Sequence, residues 1–250
     1  MKTSKKSCAE NYILAPHAVF LSAQDGSARV LDLNGQFYTL SAIGADILSS
    51  VLMSELDFSV GKIAGIYGVD SFKVRQDASN LIQKFRRQGV ILNRSGKFWH
   101  SIWNMIALLI SAPLLLAIRL LIWHRPCRIW LLLLLSRASF FMFGWERTVQ
   151  VWNSCLRLRK NKKINDVGRI LEDIDVLVRQ TASNHPFQMQ CKERSLCCWV
   201  MTRIVGIRTR LVVGIQIFPL EGHCWCEYDN EILTDARTRC DNYSVLRTYQ

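Results

Sequence analysis

The stretch CKERSLCCWVMTRIVGIRTRLVVGIQIFPLEGHCWCEYDNEILTD, residues 191–235, decides the fold of the C-terminal part. Residues 191–204 read as a helix with Leu196, Val200, Met201 and Ile204 on one side, and Gly206 ends it. Residues 209–218 are a β-rich run around Leu211-Val212-Val213-Gly214-Ile215. Residues 222–228 read as a strand, Asp229-Asn230 as a turn, and 231–234 as the returning strand. Upstream, residues 164–181 are amphipathic, with Val167, Ile170, Leu171, Ile174 and Val178 on one face. Helices followed by a small sheet place residues 151–250 in the α+β class.

Cys191 stands at the start of its helix, where unpaired N–H groups and partial positive charge favour a thiolate. His223 lies near the start of a strand, and Asp235 at the end of the strand that returns from it. A thiolate nucleophile, an imidazole that handles its proton and a carboxylate that orients the imidazole make a Cys-His-Asp constellation. The register is open at this level. A three-residue turn, Tyr228-Asp229-Asn230, sets His223 and Asp235 face to face across the hairpin. A two-residue turn, Asp229-Asn230, sets them diagonally on opposite faces unless a bulge intervenes. The bland alternative is a buried Cys and a hydrogen-bonded structural His.

Cys197, Cys198, Cys224 and Cys226 could join His223 around zinc, but neither pair has C-x₂-C spacing. Cys224 and Cys226 also fall on the face opposite His223 by strand alternation. Core packing is the preferred reading for all four, and no metal is expected.

Residues 98–150 change character. Ser101 to Ile118 carries no charge, Ile129–Leu135 is a second apolar run, and Pro113 interrupts the first. Arg94 and Lys97 precede it; Arg119, Arg125 and Arg128 follow. A spanning helix, an interfacial hairpin with Trp and Arg at headgroup level, and helices buried on a neighbour all fit this pattern.

Residues 1–97 read as a separate small domain of three strands and three helices, winged-helix-like. The strands are Ala18–Ser22, Ala28–Leu33 and Gln36–Leu40, with Gln24-Asp25-Gly26-Ser27 as one turn and Asn34-Gly35 as a two-residue hairpin. Ser41, Ser59, and Asp70 or Ser71 are the expected helix caps. The third helix carries the stripe Val74, Ala78, Leu81, Ile82 and Phe85, and Gly89 ends it.

The whole chain of 250 residues is half apolar, with a formal charge of +12. That charge is spread evenly, +4 in each of 1–100, 101–150 and 151–250. The tightest basic cluster, Arg157 to Lys163, reads as a solvated helix end, with an anionic surface or partner as the alternative. No base-reading motif accompanies the charge, so no nucleic-acid partner is expected. Nine cysteines, an odd number, behind a polar Met1–Asn11 favour reduced thiols and a cytoplasmic chain, with 101–135 available for membrane association.

Cys191-Lys192-Glu193-Arg194-Ser195-Leu196, Gly206-Ile207-Arg208, Leu211 to Ile215, His223-Cys224-Trp225-Cys226-Glu227 and Leu233-Thr234-Asp235 together resemble the transglutaminase-like leader peptidase of lasso-peptide biosynthesis, over about residues 125–250. The family usually has a small residue where Cys224 stands and often Asn where Thr234 stands. The resemblance implies a papain-like fold, with Cys191, His223 and Asp235 as catalytic residues. It also implies cleavage of the leader from a ribosomally made precursor, an antibiotic-maturation role.

Residues 1–97 are similar to the leader-recognition domain of the pyrroloquinoline-quinone-biosynthesis type, through Val30-Leu31-Asp32-Leu33, Gly35 to Leu40, Ile43-Gly44 and the Asp77–Gly89 helix. That resemblance implies a leader added as a strand beside Gln36, Phe37, Tyr38, Thr39 and Leu40, packed on Val74, Ala78, Leu81 and Phe85. Plain core packing is the alternative for Tyr38 and Phe85.

The resemblance further implies an ATP-dependent macrolactam synthetase as partner. No cofactor is expected on this chain, which has no G-x-x-x-x-G-K-[ST]. Two other readings remain at this level: a non-catalytic, membrane-peripheral peptide-binding adaptor, and an acyl transferase of the same fold.

Overall fold

The computed structural model describes residues 12–33, 35–93, 97–121, 124–156 and 166–250. Met1–Asn11, Asn34 and the basic cluster at 157–163 lie outside them. The chain divides into two compact units, Met1–Ile102 and Trp103–Gln250, both mixing helices and strands.

In the first unit, β2 (Ala18–Ser22), β3 (Ala28–Asp32) and β4 (Gln36–Leu40) form an antiparallel sheet in that order, leaving β4 on an edge. Asp32 pairs with Gln36, so three residues separate β3 from β4 rather than the two expected. Gly35 takes a positive φ of 109° there. β1 (Tyr12–Leu14) pairs with β5 (Ile91–Asn93) as a second small sheet.

The three helices are α1 (Ala42–Leu52), α2 (Leu56–Tyr67) and α3 (Ser71–Arg87). Ser41 caps α1 through the Gly44 N–H, and Asp70 caps α3 through the Phe72 N–H. Ser59 caps nothing: α2 starts a turn earlier, and the Ser59 N–H already donates to Glu55 O at 3.0 Å within the helix. Val30, Ile47, Leu48, Val51, Val74 and Phe85 are buried in one core.

The second unit is built on α5 (Arg125–Leu156), α6 (Val167–Ser183) and α7 (Cys191–Val205), with the antiparallel sheet β8-β7-β6-β9. Its strands are β6 (Arg210–Gln216), β7 (Glu221–Tyr228), β8 (Glu231–Leu233) and β9 (Ser244–Tyr249); a short α8 (Arg237–Cys240) precedes β9. An apolar α4 (Lys97–Leu121) runs across the division between the units.

The second apolar run, set apart by sequence in the 98–150 segment, is part of α5 and packs on α6 and α7. Ile129, Leu132, Leu133 and Trp152 are fully buried. Gly144, at φ 74° and ψ 179°, kinks α5. Beyond the kink, Glu146 accepts from Arg247 at 2.8 Å and Tyr249 Oη at 3.1 Å, tying the helix to β9. This helix belongs to the fold that carries Cys191.

Candidate active site

α7 begins at Cys191, and its first turn is built to start there. Glu193 reaches back to accept the Gln190 N–H at 2.9 Å, one arm of a capping box. Burial pushes the Glu193 carboxyl up, while its place in the first turn suits the helix dipole. Cys191 is thus the first helical residue, with the unpaired N–H groups of the helix end about it. Just ahead of the helix, Arg137 donates to the backbone carbonyl of Gln188 at 2.8 Å.

α7 packs against β7, which carries His223 and Cys224. The Cys191 thiol is held far below the ordinary thiol range, at about 4. The Cys224 side chain as a hydrogen-bond donor is the first cause; the His223 ring and its charge, and the Cys224 backbone, add to it. Burial opposes them and loses. Cys224 is pushed up by burial and by the same partner. Two neighbouring thiols of equal intrinsic acidity share one proton, and the imidazole beside Cys191 decides which one gives it up. The site can therefore hold a thiolate on Cys191 beside the His223 ring.

His223 is 2 % exposed, and its Nε2 lies 2.9 Å from Asp235 Oδ2. The ring N–H is not aimed along that line, and neither atom makes a linear hydrogen bond. Asp235 Oδ1 accepts the Ala236 N–H at 2.8 Å, and Arg239 stands 3.6 Å from Oδ2.

The hairpin explains how these two meet. Tyr228 pairs with Glu231 and Cys226 with Leu233, so the turn is Asp229-Asn230 alone, both residues at positive φ. Regular alternation from that register would send Asp235 to the face opposite His223. Thr234 breaks the alternation with φ 74°, a left-handed conformation that a β-branched residue rarely adopts. The distortion is held from several sides. The Thr234 N–H donates to Asp175 Oδ1 at 2.6 Å, its hydroxyl lies 3.2 Å from Ser195 Oγ, and Ser195 Oγ also donates to Cys224 O at 2.9 Å. Asp175 is itself gripped by Arg179, whose guanidinium donates to Asp235 O at 3.1 Å. Sequence reasoning missed Asp175, Arg179 and Ser195; charged residues on an otherwise amphipathic α6 were the only signal.

Gly214 pairs with His223 across the sheet. A Cβ there would sit 2.8 Å from Tyr243 Cβ and 2.9 Å from the Trp225 ring. Those two rings flank the imidazole, at 6.0 Å for Trp225 and 5.0 Å for Tyr243. Glycine lets the rings close on His223 from the side.

Cys197, Cys198 and Cys226 are fully buried, with the Cys197 thiol donating to Ile129 O at 3.8 Å. Cys224 is buried as well, in line with core packing, and it also faces α7, which brings Cys191 to it. Among the described residues no group of three or more His, Cys, Asp or Glu side chains is arranged to hold a metal ion.

In the first unit, Gln36, Phe37 and Thr39 are exposed on the β4 edge and Tyr38 is half-buried, its ring 5.3 Å from Phe85. Val74, Ala78 and Phe85 are each 1 % exposed, and Leu40 is buried. These four are part of the core of the first unit. Leu81, partly buried, is the α3 residue of the expected set left near the surface.

This geometry, a thiol at a helix start facing a strand histidine with a carboxylate beyond it, defines a thiol-nucleophile site on an α+β domain. Residues 130–248 match the transglutaminase-like superfamily, which supports a cysteine-protease or acyltransferase-type fold for the second unit. Comparison with curated proteins and with solved structures gives no match.

Proposed function

We propose that the chain is a leader peptidase acting on a ribosomally made lasso-peptide precursor. The carrying observation is the Cys191 thiol held at about 4 beside His223, with Asp235 2.9 Å beyond the ring. Cys191 attacks the carbonyl at the leader–core junction. His223, beside the thiol and with Nε2 2.9 Å from Asp235, protonates the leaving amine. The acyl-thioester on the leader is then hydrolysed, freeing the core's amino group. The Cys191 N–H contributes to the oxyanion hole.

The exposed β4 edge supports leader binding by strand addition, with backbone hydrogen bonds for affinity and Phe37, Thr39 and Leu81 for register. Tethering raises the effective concentration of the scissile bond at Cys191, so the cutting site itself can be undemanding. The released core passes to an ATP-dependent macrolactam synthetase, which supplies any ATP dependence.

The test is mass spectrometry of a precursor peptide from the gene's neighbourhood, incubated with the neighbouring synthetase and ATP. Wild-type chain should release a leader ending in a free carboxylate, and Cys191→Ala should not. Equal release by both removes Cys191 from the mechanism. A leader carried onto an amine would show transfer in place of hydrolysis.

A further inference from the structure

We propose that α4 lies flat on an anionic lipid surface, with the Met105, Leu109 and Leu116 side of the helix in the acyl–headgroup boundary. This does not rest on the peptidase reading.

α4 carries two opposed stripes. Ala107, Ser111, Leu115 and Ile118 recur at i, i+4, i+8 and i+11 and are 1, 2, 8 and 5 % exposed. On the other side Met105, Leu109 and Leu116 recur at i, i+4 and i+11 and are 59, 69 and 52 % exposed. A surface helix normally presents charge on its outer face. This one has none from Ser101 to Ile118, so its outer stripe is apolar for about 16 Å.

Charge identifies the occupant. Between Asp77 and Glu146 the chain has no Asp or Glu, but it has nine Lys and Arg. Lys97 precedes the apolar stretch, and Arg119, Arg125 and Arg128 follow it. Trp99, Trp103 and Trp123 stand near its ends, the residue type favoured at the headgroup level. An apolar stripe without hydrogen-bonding side chains, bracketed by cations and tryptophan, matches a bilayer rich in anionic lipid. The buried stripe along the same helix favours lying on the surface over a lone span, which would expose its whole circumference to lipid. The uncharged run is also at the short end for a span.

The experiment is cosedimentation of the full chain, purified without detergent, with sucrose-loaded vesicles. One set is phosphatidylcholine, the other about 3:1 phosphatidylcholine to phosphatidylglycerol. Binding to the anionic vesicles should be at least about tenfold stronger and should fall at about 0.5 M salt. Leu109→Glu with Leu116→Glu should lower it at least about tenfold, with the alkylation rate of Cys191 unchanged as a check that the second unit is folded. If that variant loses alkylation, Leu109→Ser with Leu116→Ser replaces it, with a loss of at least about fivefold expected. Three results overturn the proposal: no binding to either vesicle, equal binding to both, or a folded variant that binds like wild type. A dimer in lipid-free buffer that the variant dissociates, without vesicle binding, assigns the stripe to a second copy instead.

Discussion

The two units differ in the kind of surface they offer. In the second, Cys191, His223, Cys224 and Asp235 come from α7, β7 and the residue beyond Thr234, and all are half-buried or buried. The Cys191 thiol is held low by Cys224 and His223. In the first, the surface proposed for the leader is a strand edge bearing Gln36, Phe37 and Thr39, with the backbone as its main recognition element. Buried, mutually coupled groups make chemistry that depends on fractions of an ångström; an exposed edge makes binding that tolerates much more. Substitutions in the two units should therefore separate cleanly into rate and affinity.

The largest separation is at the nucleophile. Cys191→Ala should lower leader release by at least about a thousandfold while the Kd for the leader, by fluorescence anisotropy, stays unchanged. A parallel fall in affinity would break the comparison by making Cys191 part of the binding surface.

Next is Asp175, which touches no reacting group. Asp175→Ala removes the acceptor for the Thr234 N–H and the anchor for Arg179. Asp235 should then relax toward the regular strand face, away from His223. We expect kcat to fall on the order of a hundredfold with KM little changed, and Asp175→Asn, which keeps an acceptor, to recover most of it. Equal losses in Asn and Ala variants would mean that the carboxylate charge matters rather than the pinned backbone.

Phe37→Glu tests the other unit. Phe37 is 40 % exposed on the β4 edge, where an added strand would cover it. The expected effect is about a tenfold rise in leader Kd with kcat at saturation unchanged. Unaltered affinity would move the leader off β4.

How much of this was legible beforehand follows from which rules held locally. The start of α7 at Cys191 obeys ordinary propensities, and the sequence reading reaches it; the same reading narrows the α3 cap to Asp70 or Ser71 and the hairpin turn to two or three residues, and the structure selects Asp70 and the two-residue turn. The meeting of His223 with Asp235 does not obey such propensities, because it needs a threonine at φ 74°, a conformation disfavoured by Thr itself and stabilised by Asp175 from a helix distant in sequence. α4 and α5 show the same limit for hydropathy. Both are apolar and free of acid over long runs, yet α5 buries Ile129, Leu132, Leu133 and Trp152 and packs on α6 and α7, leaving Phe141 and Met142 exposed, while α4 leaves Met105, Leu109 and Leu116 exposed. Composition counts apolar residues but does not say what covers them. The stripe Val74, Ala78 and Phe85 shows the same ambiguity: it is buried in the core of the first unit, and a helical stripe reads alike whether it faces a core or a groove.

The smallest expected effect concerns Cys224, and it discriminates between two meanings of burial. As a core residue, Cys224 fills space, and Cys224→Ala would leave a small void and an unaltered nucleophile. As a donor to Cys191, it helps hold the thiolate. The pH dependence of Cys191 alkylation, followed by peptide mass spectrometry, separates the two. In the wild type the thiolate persists down to about pH 4 and is lost as pH falls through that value. Removing the donor favours the protonated thiol, so the half-point in Cys224→Ala should rise by about one pH unit, still well below the free-thiol value near 8.5 because His223 remains. Cys224→Ser keeps a donor and should stay near wild type. At neutral pH all three remain mostly thiolate, so cleavage rates there should differ only by a few-fold at most, about the change in nucleophilicity that accompanies such a rise. An unmoved half-point in Cys224→Ala would return Cys224 to the core and leave His223 to hold the thiolate with the helix end.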